Sequence, residues 1–194
     1  MKIATDFAGR GDAAPGLVRR EFLKVGLGFS LALTVVGALP GCGEAAKAPA
    51  KGLAFLQPGD VELFSALAPA VVIDLVKLDD AERKARVGEV VRNIDATFSA
   101  LGLASQQEVR KLLDLLAIAP LRYVLAGVSA WNEASVETVH VFLARWRDSR
   151  FATLNAGGNL LVKIVAASYY VLPASWPASG YPGPLAHVYQ TLNP

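Results

Sequence analysis

"PGDVELFSALAPAVVIDL", residues 58–75, decides how this chain is read. Pro58 and Gly59 interrupt what precedes them, and Asp60 stands where a helix cap is wanted. Val61, Phe64, Leu67, Val71 and Leu75 then return every three or four residues. A helix turns once in about 3.6 residues, so this spacing gathers them on one face. Pro69 lies inside the run. It offers no N–H and crowds the carbonyl four residues back, so a kink or a division is expected there.

The same period continues downstream. Asp79, Asp80 and Glu82 place negative charge at a helix start, where the backbone dipole favours it. Val87, Val90, Val91, Ile94, Phe98 and Leu101 make the next apolar face, with Gly102 as its stop. Ser105 and Glu108 have the spacing of a capping box. Leu112, Leu113, Leu115 and Leu116 fill a short helix that halts near Pro120, and Arg122 to Val128 is apolar without a clear period. Residues 133–146 form another helix, with Val136, Val139, Phe142, Leu143 and Trp146 inward and Arg145, Arg147, Asp148 and Arg150 at its solvated end. Residues 153–171 form the last, with Leu160, Leu161, Ile164, Val165 and Ser168 at helical spacing. No run alternates as a strand does, and no period of 20–50 residues repeats. The expected fold is all-α, a compact bundle of five or six helices with an irregular Pro/aromatic tail.

Three segments are expected: 1–41, a tether over 42–57, and a helical domain over 58–194. "GEAAKAPAKG", residues 43–52, is too small and too rich in Ala, Pro and Gly to build a core. The whole chain carries a formal charge of +2, but residues 42–194 hold 14 Lys/Arg and 14 Asp/Glu and balance to zero. Without a basic stripe, nucleic acid is not an expected partner. The hydrophobic fraction is 53%, which points to surface buried against something else.

Little in the residues asks for chemistry. His140 and His187 are single imidazoles with no clustered cysteine or acid, so their spacing makes no metal site. His140, between Val139 and Val141, reads as a structural residue, and His187 as a residue of the tail. "NAGGNL", residues 155–160, lacks the strand and the Lys-Ser/Thr pair of a phosphate cradle and reads as a helix break or a close packing point. Cys42 is the only cysteine, so no thiol pair can hold haem or zinc. The expectation is a chain with no catalytic, cofactor-binding or metal-binding residues of its own.

The N-terminal part is different. "VRREFLKVGLGFSLALTVVGALPGCG", residues 18–43, resembles a twin-arginine export signal that ends at a lipoprotein cleavage site. Arg19 and Arg20 lead into Phe22, Leu23 and Lys24, as in the core of such signals; Val18 stands where Ser or Thr is usual. Val25 to Leu39 is uncharged over 15 residues, short of the roughly 20 that span a bilayer. An ordinary N-terminal membrane helix is the other reading. Leu39-Pro40-Gly41-Cys42 is similar to a lipobox, although Pro40 replaces the usual small residue. Lipidation of Cys42 would relieve the liability of a free thiol in an oxidising compartment. A cut at 46–48 or 48–50 is the alternative.

The tail, "YYVLPASWPASGYPGPLAHVYQTLNP" at 169–194, holds five of the 11 prolines and interleaves them with aromatic residues. Rigid turns bearing aromatics suit a segment laid against another surface. Together with the export signal and the opening helix, it resembles the small subunit of bacterial flavin-dependent dehydrogenases of the gluconate 2-dehydrogenase subunit 3-like family. That resemblance implies a non-catalytic subunit. It would escort a signal-less, FAD-binding large subunit of the glucose–methanol–choline type through the twin-arginine translocase. FAD would sit in the partner, and a cytochrome c subunit takes the electrons in many such complexes. The chain would be periplasmic and held on the membrane through lipidated Cys42. Tyr169, Tyr170, Trp176, Tyr181, Pro182, Gly183 and Pro184 are the residues expected to meet the large subunit. Two alternatives stay open: a stand-alone periplasmic helical lipoprotein that binds a ligand or an envelope partner, and a tail that folds back on its own helices.

Overall fold

The structure, a computed structural model, describes residues 48–183. The expectations for Arg19, Arg20, Phe22, Leu23, Lys24, Cys42, Pro184 and His187 fall outside the described residues. Within them the chain is all-α, with eight helices and no strand. These are α1 (Pro58–Val71), α2 (Ile73–Val76), α3 (Asp80–Ser99), α4 (Leu103–Ala117), α5 (Ala119–Ala126), α6 (Val136–Arg147), α7 (Ala152–Tyr170) and α8 (Trp176–Ser179). Short 3-10 turns lie at Trp131–Glu133 and Pro173–Ser175. Five of the eight, α1, α3, α4, α6 and α7, are 12 residues or longer and make the bundle.

α1 is the central rod and packs against α3, α6, α7 and the Trp131 turn. Neighbours on several sides explain why its buried set is wider than one stripe: Leu63, Phe64, Leu67, Ala68 and Ala70 are all buried. The expected Val61 and Val71 are only half-buried at the edges. Each large side chain fully removed from water here contributes about 2 kcal/mol. The break expected at Pro69 falls at Val72, whose extended backbone (φ −115°, ψ 99°) separates α1 from α2. Leu75 thereby reaches the core from a different helix. His140 lies on α6, and its Nε2 donates to the Ala70 carbonyl, one of those that the ending of α1 leaves without an intrahelical partner. That is a structural task.

Several local expectations are corrected. The tether read over 42–57 does not reach residue 57. Leu56 is fully buried, and Phe55 sits edge-on to Phe98 at 5.8 Å. The cause is Asp95 on α3. Its carboxylate accepts the N–H groups of Ala54 (2.8 Å), Phe55 (2.9 Å) and Leu56 (2.8 Å) and ties the segment down. Asp60 is not the N-cap of α1, which is Gln57; it accepts the Gln57 N–H from the third helical position at 2.8 Å. Gly102 opens α4 as its N-cap instead of closing α3. Ser105 therefore lies inside α4, and the expected capping box does not form. Pro120 begins α5 instead of only ending α4, and α5 stops at Gly127, whose φ of 73° a residue with a side chain rarely adopts. α6 starts three residues later than expected, with Ser135 Oγ accepting the Thr138 N–H at 3.1 Å.

The glycine pair in α7 is a packing point. Trp146 of α6 lies flat against it, and a Cβ on either Gly157 or Gly158 would come within 3.0 Å of that side chain. Trp146 is locked from the other side by an edge contact with Phe142 at 4.9 Å and an Nε1–H bond to the Leu125 carbonyl. Among the described residues no single helix is long and apolar enough to cross a membrane.

Candidate docking surface

At Tyr170 the last bundle helix ends, and the Pro173–Ser179 segment leaves at 91° to it. Pro173 opens a 3-10 turn in which both the backbone N and Oγ of Ser175 donate to the Leu172 carbonyl. Pro177 lacks the N–H that a helix start cannot use, so it fits the first turn of α8. Gly180, at φ 70°, closes that turn left-handed. The chain then doubles back, and Tyr181 N–H donates to the Trp176 carbonyl at 3.1 Å.

This path builds an aromatic clasp. The rings of Trp176 and Tyr181 meet edge to face at 5.3 Å. Trp176 Nε1–H donates to the Tyr170 carbonyl at 3.3 Å, which returns the clasp to the end of α7. Gly183 (φ 91°) is buried beneath the indole, so close that a Cβ there would stand 3.0 Å from the ring. Tyr169 and Tyr170 form a second edge-to-face pair at 5.2 Å. The two tyrosines face opposite ways: Tyr169 is 5% exposed and Tyr170 is 49% exposed. Burial pushes the Tyr169 hydroxyl above its usual range, and the nearby Asp74 carboxylate adds to this.

Asp74 belongs to α2 and Lys77 is its C-cap, so that helix lies beside the same end of the bundle. Their side chains pair at 2.7 Å. Ile73, at 65% exposed, and Val76 carry apolar surface there, as Val171 and Tyr181 do. Around Trp176 and Tyr181 the result is a shelf of apolar and aromatic side chains whose backbone is held by its own hydrogen bonds. Such a shelf loses little conformational freedom when covered. A smaller strip lies elsewhere: Tyr123 and Val124 on α5 and Val141 on α6 are exposed, with Arg145 donating to the Val124 carbonyl between them.

The structure thus brings together Tyr169, Tyr170, Trp176, Tyr181, Pro182 and Gly183 of the expected interface set. Two of these need correction as contact residues. Tyr169 is turned into the domain's own core by the pitch of α7, and Gly183 is covered by Trp176. Of the two arrangements left open for the tail, its described part does fold back on itself, yet it leaves Tyr170, Pro182 and Tyr181 facing outward. Ile73 and Val76 were missed in the sequence because they read as a continuation of α1. The signal for them was Pro69, which shortens α1. Among the described residues there is no cluster of His, Cys, Asp or Glu able to hold a metal. No family model, curated protein or solved structure matches the chain.

Proposed function

We propose that this chain is the non-catalytic small subunit of a flavin-dependent dehydrogenase complex. It docks a signal-less FAD-binding large subunit on the shelf formed by α2, the end of α7 and the Trp176–Tyr181 clasp. The observation that supports this best is the clasp itself. Two large aromatic side chains are ordered at the surface and left partly uncovered, although each would contribute about 2 kcal/mol if fully buried. In this reading the Arg19–Arg20 signal carries the folded pair across the membrane, so that the large subunit receives FAD beforehand, and Cys42 then anchors the complex. The large subunit performs the oxidation. The test is to purify the tagged chain from its own cell and record an absorption spectrum. A co-purifying subunit with a flavin spectrum supports the proposal; a chain that comes away alone, or with a colourless partner, contradicts it.

A further inference from the structure

α1 and α3 part beside residues 50–53, and the gap between them is an open cleft of ≈ 780 Å³. Leu53, Val61, Pro69, Val87 and Val91 make its floor apolar. Gly88 is part of the same wall, in the interior of α3, where glycine is less favourable than alanine. No close helix packing demands it. A Cβ there would meet only the Arg92 guanidinium, at an ordinary 3.6 Å. The glycine leaves the cleft wall without a side chain beside the Arg92 guanidinium.

The rim has the opposite character. Lys51, Arg83, Lys84 and Arg92 stand around the cleft, against one acid, Asp80, which is paired with Arg83. Among the described residues no ion pair takes up Lys51, Lys84 or Arg92. An occupant that satisfies both parts is apolar along its length and anionic at its edge. We propose that the cleft binds an anionic phospholipid, with an acyl chain along Val61, Val87 and Val91 and the phosphate among Lys51, Lys84 and Arg92. Chain geometry agrees: Ala48 follows Cys42 by six residues, at most about 21 Å of extended backbone. On the reading that Cys42 is lipidated, the cleft is therefore held within reach of lipid headgroups; the floor and the rim charges do not depend on that reading. An acyl anchor joined to a basic patch is a recognised two-signal arrangement for lasting membrane attachment.

The experiment is a calorimetric titration of the full chain with Cys42→Ala in every arm. The probes are dihexanoyl phosphatidylglycerol and dihexanoyl phosphatidylcholine below their micelle concentrations, and glycerol phosphate. The phosphatidylglycerol should bind at least about tenfold tighter than the phosphatidylcholine, and glycerol phosphate should not bind. Gly88→Leu fills the floor and favours the helix; made both on the parent chain and on Arg92→Gln, where no guanidinium stands against the new side chain, it should weaken phosphatidylglycerol binding about tenfold in each background. Lys84→Gln with Arg92→Gln should remove the preference between the two lipids. The proposal is overturned if the two lipids bind the parent chain equally, if glycerol phosphate binds as tightly as the lipid, or if Gly88→Leu changes nothing. Co-purification of a flavoprotein reads separately: a Gly88→Leu chain should retain it, so failure of the lipid site leaves the docking proposal standing, and the reverse holds.

Discussion

Arg110 grips both oxygens of Asp60: Nη1 donates to Oδ2 at 2.7 Å and Nη2 to Oδ1 at 2.8 Å. The pair joins the first turn of α1 to the middle of α4. Asp60 is 2% exposed, whereas the Arg110 side chain keeps 20% and also lies over the Phe55 ring at 5.8 Å. Burial pulls the guanidinium pKa down, but Asp60 and then Asp114 outweigh it and hold it above its usual value. Arg110 also pairs with Asp114 at 2.8 Å, whereas among the described residues the buried Asp60 has no second cation, so removing Arg110 strands Asp60. Arg110→Ala should destabilise the domain by about 3 kcal/mol, measured by urea unfolding. An unchanged midpoint would mean that Asp60 loses its cation without cost.

Asp95 should matter as much. Asp95→Ala removes the acceptor from three consecutive N–H groups, one of them buried. Stability should fall by about 3 kcal/mol, and residues 48–57 should become the first site of proteolysis. Cleavage first at another loop would contradict the pinning role.

How much of this was legible is clearest in α3 and in α7. Val90, Val91, Ile94 and Phe98 lie on the face that their spacing foretold, because one face of α3 meets the core. Asp95 sits on that same face, four residues after Val91 and three before Phe98. An acid on an apolar stripe was the available sign of a buried acceptor, but its donors come from about 40 residues away, which spacing does not encode. The aromatic shelf was half legible. Its aromatic and proline content marked the tail, while the inward turn of Tyr169 and the lid of Trp176 over Gly183 depend on where α7 stops. Trp131 was missed altogether. It is buried on a 3-10 turn too short to show a period, with Nε1–H donating to the Leu116 carbonyl.

The glycines of the helices should separate by sign. At Gly158 a Cβ would stand 3.0 Å from the Trp146 Cβ, which its own backbone holds in place. Gly158→Ala should therefore cost about 1–3 kcal/mol despite the better helix propensity of alanine. Gly157→Ala should cost a similar amount, because its nearest contact is Trp146 Cζ3, at 3.0 Å, on a ring that Phe142 and the Leu125 carbonyl hold in place. Gly88→Ala should instead gain up to about 1 kcal/mol. Thermal melts of the three variants check this order, and a stabilised Gly158→Ala would contradict the packing account.

Tyr169 predicts a dependence on alkaline pH. Its folded pKa lies above the unfolded value, so the folded state retains the proton that the unfolded chain loses. The associated stability is fully present below about pH 10 and is lost as pH rises through the folded pKa. Tyr169→Phe should flatten the decline of unfolding free energy above about pH 10. Equal slopes in the two proteins would count against the buried hydroxyl.

Docking of the flavin-binding subunit on the Trp176–Tyr181 clasp is tested by a paired measurement on Trp176→Ala with Tyr181→Ala. Pull-down of the flavin subunit and far-ultraviolet circular dichroism are recorded on the same preparation. Binding should weaken by about 2–4 kcal/mol, roughly 30- to 1000-fold, with the helix signal of the bundle retained. Lost helix content with the flavin subunit still bound at full affinity would contradict it, because the clasp would then belong to the core and not to the interface.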